Sequence, residues 1–326
     1  MKIAILDDYQ DVVRDLTCFS LLGEHEVKVF NNRAVGLGQL AIRLQQFDAL
    51  VLIRERTVLS RALLSKLPNL KLISQTGKVS GNIDLEAAAD FGITIVEGSG
   101  DPTAPAELTW ALIMAASRKI PQYAQHLQEG VWQAASLYPQ HNQLGRVLKN
   151  RQLGLWGYGR IGKLVACYAR AFGMDVIIWG SEASRRQAQQ DGFNAASSQQ
   201  QFFESSDIIS LHLRLNEATR HIVQLSDLQS MKTDALLVNI SRAELIAQDA
   251  LLTALSQGRP GAAALDVFEN EPLPADYPLR HRENVLLTPH LGYVEKDSYE
   301  LYFRNAFQNI LDFCAEKYAG KTSEKQ

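Results

Sequence analysis

The chain has 326 residues, 46% of them hydrophobic and 21% charged, and a formal net charge of −3. That length accommodates two domains with ample core, and the slightly acidic balance excludes the basic surface that nucleic acid or an anionic membrane needs. The three cysteines, Cys18, Cys167 and Cys314, are far apart in apolar surroundings, so they read as buried free thiols of a reducing compartment, with neither a disulfide frame nor a metal pair.

The opening MKIAILDDYQ puts Asp7 and Asp8 straight after a short strand, too short and too acidic a start for a signal peptide. No apolar run approaches membrane-spanning length, so the protein reads as cytoplasmic. Apolar runs at Ile3–Leu6, Val27–Phe30, Ala49–Ile53, Leu70–Ile73 and Ile93–Val96 predict strands. Between them Leu40–Phe47, Arg61–Leu67 and Asp84–Phe91 show helical spacing. Strands separated by helices of this length imply parallel β-α units, hence one small α/β domain without a glycine fingerprint. Pro102 and Pro105 then suit a helix start, and Glu107–Ile120 predicts a long apolar helix buried on several sides. Such a helix bridges two domains or lies in a dimer interface, or else is a core helix of one domain. Gln122–Arg151, with Trp132 and Tyr138, is polar and irregular.

From Gln152 the alternation resumes with QLGLWGYGRIG. Leu153–Trp156 predicts a buried parallel strand, Gly157, Gly159 and Gly162 follow in G-x-G-x-x-G spacing, and Ile161–Phe172 carries apolar residues at helical intervals. A dinucleotide pyrophosphate needs this order. The first glycine permits the turn, the second lets backbone approach the phosphates, the third lets the helix pack close, and the helix start offers N–H groups to the anion. Gly157–Lys163 also fits the start of a nucleoside-triphosphate loop, but Leu164 stands where that loop needs Ser or Thr. Further strands are predicted at Val176–Trp179, Ile208–Leu213, Ala235–Ile240, Ala262–Phe268 and Val285–Leu287, with helices at Ser184–Asp191 and Asp249–Gln257. Ser197–Gln201 reads as a solvated loop, Asp297–Tyr318 as an amphipathic helix and Lys321–Gln326 as a frayed tail. The fold class is therefore α/β: two Rossmann-like or flavodoxin-like parallel-sheet domains with a cleft between them, the glycine fingerprint opening the second.

Open parallel sheets bind ligands beyond the carboxyl ends of their strands. In the second domain those ends carry Ser241-Arg242, then Asp266 with Glu269, Asn270, Glu271 and Pro272, then Thr288-Pro289-His290. A histidine paired with a carboxylate is held in one orientation and is favoured in its protonated form, which suits proton exchange with an alcohol or ketone oxygen. An arginine grips a carboxylate with two prongs. Singly these are an ordinary surface cation, loop acid and polar histidine; at one sheet edge with a dinucleotide loop they form a coherent set.

The motifs NISRAELI, ALDVFENEPLP and LLTPHLGYV, with GYGRIG upstream, resemble the D-isomer-specific 2-hydroxyacid dehydrogenase family across essentially the whole chain. The resemblance implies that Arg242 grips the substrate carboxylate and keto oxygen, that His290 is the acid/base and Glu271 its partner, and that Asp266 meets the nicotinamide carboxamide. Cofactor contacts are expected at Gly157, Gly159, Arg160, Ile161, Gly162, Ser181, Arg185, Arg214, Thr219 and Ile240, and no metal is expected. It makes residues 1–100 plus 293–326 the substrate domain and residues 101–292 the dinucleotide-binding domain, in a homodimer built on the latter. Leu70–Asp84 (LKLISQTGKVSGNID) becomes the substrate-carboxylate loop, with Gly77, Lys78 and Val79 at its tip. The chain departs from the family pattern at Ala243 after the arginine, at Arg214 in HLRLNEATR, at Lys78 in the loop and at Leu108 after Glu107.

Where the family's ribose-binding Asp would close the second cofactor strand, this chain has Gly180, followed by Ser181, Arg185 and Arg186. Loss of the carboxylate and gain of cations favour NADP over NAD; the alternative is two solvated arginines with Glu182 on the ribose. Arg54 and Lys78, at neighbouring strand ends, suggest a second anionic or strongly polar group on the substrate; alternatively Arg54 pairs with Glu55 and Lys78 faces solvent. The leading function is reversible reduction of a 2-oxo acid to a D-2-hydroxy acid. A dinucleotide-sensing, corepressor-like binding protein on the same scaffold is the alternative, disfavoured because long disordered extensions and a basic patch are lacking. Formate oxidation is disfavoured by the carboxylate at Glu271.

Overall fold

The computed structural model describes residues 1–132 and 144–323. Short apolar runs become parallel strands and amphipathic segments become the helices crossing between them. In chain order these are β1 (Lys2–Leu6), β2 (Glu26–Val29), α1 (Gly36–Leu44), β3 (Ala49–Leu52), α2 (Arg61–Leu64), β4 (Leu72–Gln75), α3 (Leu85–Asp90) and β5 (Thr94–Glu97). There follow α4 (Thr103–Arg118), α5 (Ile120–Gln128), β6 (Gln152–Trp156), α6 (Arg160–Ala171), β7 (Asp175–Trp179), α7 (Glu182–Gln190), β8 (Asn194–Ala195) and α8 (Gln199–Ser205). The chain continues with β9 (Ile208–Leu211), α9 (Leu225–Ser230), β10 (Leu236–Asn239), α10 (Ala250–Ser256), β11 (Ala262–Leu265), β12 (Val285–Leu287) and α11 (Lys296–Ser323).

The chain divides into two compact units, Met1–Asp101 with Glu295–Gln326, and Pro102–Val294. The first holds a five-stranded sheet in the order β2-β1-β3-β4-β5. Its strands all pair in parallel. Leu50, Leu52 and Ile73 are fully buried against the helices on one face. On α11, Phe303 and Phe307 are buried and the Ala306 carbonyl accepts from Ser74 Oγ of β4 at 3.0 Å. The second unit holds a seven-stranded sheet in the order β12-β11-β10-β9-β6-β7-β8, also parallel throughout. Alternate strand residues feed two cores. Leu155, Ile178 and Val238 pack on one face with Val165 of α6, while Trp156, Ile177 and Leu237 pack on the other with Phe202 and Phe203 of α8. Both faces are thus covered, as a parallel sheet requires.

Several expectations need correction. Ser197–Gln201 leads into a helix, because Ser198 accepts the Gln201 N–H at 3.0 Å as N-cap and adjacent phenylalanines bury the next turn. The long apolar helix begins at Thr103 and stops at Arg118, where Lys119 turns left-handed (φ 54°) and α5 begins at Ile120 with Pro121 in its first turn. Gln122–Gln128 is therefore helical, not irregular, while Tyr138 lies outside the described residues. On α4 the buried residues are Ala106, Thr109, Leu112 and Ile113, a single face turned to α6, β10 and β11. Of the cysteines only Cys18 is buried; Cys167 is exposed, because on α6 it falls off the face that buries Val165, Ala166 and Ala169. Among the described residues no helix is long and apolar enough to cross a membrane.

Candidate active site

Because the seven-stranded sheet is parallel, every strand ends at one edge, and the glycine turn leaves β6 there. Gly157 sits at φ 105°, and a Cβ on it would come within 2.5 Å of the His212 carbonyl oxygen. A Cβ on Gly162 would collide with the Gly157 carbonyl, so α6 can lie this close only with glycine there. Around Gly159, by contrast, nothing lies within 4 Å of a Cβ position, and this residue is the N-cap of α6 without a side-chain cap. Two glycines are thus demanded by packing and the middle one faces open space. That is the cradle a pyrophosphate fits, with Arg160 and Ile161 in the first turn of the helix. Among the described residues no cluster of His, Cys, Asp or Glu could hold a metal ion.

The next strand ends in Trp179, followed by Gly180 (φ 147°) and Ser181. Ser181 caps α7 by accepting the Ser184 N–H at 3.2 Å, and its hydroxyl donates to Ser184 Oγ at 3.1 Å. The Arg185 guanidinium stacks 4.8 Å from the centre of the Trp179 ring. Arg186 is paired with Glu182, one helical turn away. After β9, Thr219 closes the Arg214–Thr219 turn by donating to the Arg214 carbonyl at 2.7 Å, and Arg214 itself is exposed. Ile240, just past β10, is buried.

Three further strand ends build the acid/base group. After β10, Asn239 Nδ2 donates to the Arg242 carbonyl at 2.8 Å and fixes that turn. After β11, Asp266 is fully buried. Its Oδ1 accepts from Thr288 Oγ1 at 2.6 Å and from the Leu291 N–H at 2.7 Å, and its Oδ2 accepts from the Gly292 N–H at 2.9 Å. Burial raises the Asp266 carboxyl, against the pull of these donors and of the His290 charge. Asp266 therefore latches the segment that carries His290, a role that sequence reading missed.

His290 itself is held at φ 55°, a left-handed conformation that a non-glycine residue adopts only under such constraint. Its Nδ1 lies 2.7 Å from Glu271 Oε2, while Glu271 Oε1 accepts the Phe268 N–H at 2.9 Å. Burial raises the Glu271 carboxyl, but the His290 hydrogen bond and charge, the Phe268 amide and the Arg242 charge outweigh it and hold the group below its ordinary value. With Nδ1 engaged, Nε2 is left to meet a reacting oxygen, and the ring edge packs on Tyr293 at 5.5 Å between centroids. From β6 to β12 there are four inter-strand steps, about 19 Å at roughly 4.8 Å each. The glycine turn and His290 thus sit well apart along one edge, as an extended dinucleotide would require.

The other candidates belong to the first unit. Arg54 (φ 51°) closes β3, and its guanidinium lies over Gly77 (φ 111°), where a Cβ would run into it. Arg54 Nε lies 3.7 Å from Glu55 Oε2. Lys78 Nζ is 2.9 Å from Glu97 Oε2, and Glu97 Oε1 accepts the Val79 N–H at 2.7 Å. Each of these cations thus has an acid beside it, which favours local pairing over a second anionic group on the substrate. The Val79 amide too is already engaged, by Glu97 at the end of β5.

Comparison with known proteins points to one family. The family described as D-isomer specific 2-hydroxyacid dehydrogenase, NAD binding domain, matches residues 110–292. A glyoxylate reductase of Aeropyrum pernix is 37% identical over 257 residues, 78% of this chain and 76% of that protein. A D-3-phosphoglycerate dehydrogenase of Methanocaldococcus jannaschii is 36% identical over 90% of this chain, a match spanning 53% of its own length. The crystal structure of a phosphoglycerate oxidoreductase from Vibrio cholerae superposes with a TM-score of 0.92 at 53% identity, covering 97% of this chain and 99% of that one.

Proposed function

The chain belongs to the D-isomer-specific 2-hydroxyacid dehydrogenase family and is an oxidoreductase that uses a nicotinamide cofactor, and we propose that His290, Glu271 and Arg242 carry its reversible reduction of a 2-oxo acid. The observation that carries this reading is the 2.7 Å contact between His290 Nδ1 and Glu271 Oε2, at the sheet edge that also bears the glycine turn. The cofactor supplies a hydride equivalent for the carbonyl carbon. The protein's part is to fix and protonate. Arg242 grips the substrate carboxylate and polarises the keto oxygen, while His290 delivers a proton from Nε2 to that oxygen as negative charge develops. Glu271 holds the imidazole in one tautomer and stabilises its charged form. Asp266 keeps the His290 segment in place through three hydrogen bonds.

NADP is the favoured cofactor within this reading. Support comes from Gly180 in place of an acid, from Ser181 and Ser184 at the start of α7, and from Arg185 braced on Trp179, while Glu182 is occupied by Arg186. The names of the relatives support glyoxylate, hydroxypyruvate or a phosphoglycerate-type acid as the substrate class. Homodimerisation through the second unit is part of the same proposal, supported by exposed Ile120, Leu127 and Trp132 on and beside α5. A screen of 2-oxo acids against NADPH and NADH tests the reading. Turnover with a higher kcat/KM for NADPH is expected, a clear NADH preference refutes the cofactor assignment, and absence of any turnover refutes the function.

A further inference from the structure

The first unit has its own ligand-binding geometry. Its strand order β2-β1-β3-β4-β5 reverses between β1 and β3, and open parallel sheets bind ligands beyond the carboxyl ends at such a reversal. A cavity of about 250 Å³ lies there, lined by Asp7 after β1, Arg33 before α1, Gly36 and Arg43 on α1, and Arg56 and Thr57 after β3. The lining carries three arginines against one acid, and Asp7 is itself occupied as an acceptor for Thr57 Oγ1 at 2.5 Å. The cations are braced in place. Arg43 donates to the Asn32 carbonyl at 2.8 Å and stacks 4.8 Å over Phe30. Arg56 donates to the Asp7 carbonyl at 2.7 Å and stacks 4.7 Å over Tyr9. All three arginine charges act on Asp7, pulling its carboxyl down against a burial that raises it. The positive dipole end of α1 adds to the field, for its N-cap Val35 contributes no side-chain cap. The backbone at this edge is constrained as well, with Asp7 (φ 58°) and Arg54 (φ 51°) both left-handed at neighbouring strand ends.

We infer that this cavity is a phosphate site, in which Arg33, Arg43, Arg56 and the start of α1 hold a phosphate dianion, either as the terminal phosphomonoester of the substrate or as the free ion. Guanidinium groups match phosphate geometry, and the cavity admits one phosphate on a short linker but not a nucleotide. Only the substrate-borne form rests on the reductase reading above.

Calorimetric titration of the full chain with inorganic phosphate tests the site. One site is expected in the wild type, weakened about tenfold in Arg33→Met and in Arg43→Met, with Arg33→Lys recovering most of the affinity. Arg33 is exposed and Arg43 only half-buried, so neither change empties the core, and thermal melting checks that each variant is folded. The source of the phosphate is read from kcat/KM on a 2-oxo acid with a terminal phosphate, divided by that on the same acid with a hydroxyl instead. A tenfold fall of this ratio in Arg33→Met supports the substrate-borne form. An unchanged ratio with weakened phosphate binding supports the free ion. If the wild type turns over neither acid the reductase reading fails, and the titration still decides the site. No phosphate binding by the wild type, or binding that both methionine variants leave untouched, overturns the proposal.

Discussion

Replacing Glu271 by glutamine probes the acid/base pair with little change of shape. The Phe268 N–H keeps its Oε1 acceptor, now at 2.9 Å, but an NH₂ group replaces the oxygen that meets His290 Nδ1 at 2.7 Å. The charged imidazole then faces a donor and loses its carboxylate. A hydrogen bond to a charged group contributes about 1.5–3 kcal/mol. With side-chain exposures of 20% and 35% for the two partners, the lower end applies. At about 1.4 kcal/mol per factor of ten, losing this contact to the imidazole should slow the reaction about tenfold. Proton delivery in reduction and proton removal in oxidation both pass through this ring, so kcat should fall in Glu271→Gln in both directions. The assay is kcat and KM for both directions at one pH, with cofactor affinity checked by fluorescence titration. Wild-type kcat in both directions, in a folded variant, would refute the pairing.

Other consequences are equally direct. His290→Ala should lower kcat by about 10²–10⁴ while cofactor affinity measured by fluorescence titration stays within a factor of two or so; full turnover would contradict the assignment. Asp266→Ala leaves the Leu291 and Gly292 amides without their acceptor, at about 1–3 kcal/mol each. Denaturant unfolding should therefore show a loss of about 2–6 kcal/mol, and a loss below about 1 kcal/mol would contradict the latch. His212 carries a pKa lowered by burial from its ordinary 6.5 to about 4. Its neutral form is the one the fold accommodates, so its contribution is complete above pH 6.5 and is lost as pH falls towards 4. At 1.36 kcal/mol per unit that is about 3 kcal/mol, which His212→Phe should abolish; equal acid sensitivity in both proteins, by unfolding at pH 7 and pH 4.5, would count against it.

What was legible in the sequence is what local pattern encodes. The strand Val285–Leu287 and the residues just past each strand end could be read directly, because apolar runs mark strands and ligands gather at their carboxyl ends. Pairings between distant residues left no such mark. Glu97 captures Lys78 from 19 positions away and Thr288 reaches Asp266 across 22, so Lys78 appeared unmatched and the latch went unseen. The three arginines of the first unit's cavity, at 33, 43 and 56, likewise meet only through the β1/β3 reversal. Ser197–Gln201 was misread for the opposite reason. Its polar composition concealed a serine cap, and the two phenylalanines that bury the helix come just after it.

The most direct test of the account is the stereochemistry of the product. The purified protein, given NADPH and glyoxylate, hydroxypyruvate or a phosphorylated 2-oxo acid, should consume reduced cofactor, and with the chiral products chromatography should find the D-2-hydroxy acid. The same protein carrying His290→Ala should leave both the cofactor and the oxo acid essentially unchanged. Formation of the L-acid, or no consumption of any oxo acid by a protein that binds the cofactor, would contradict the account.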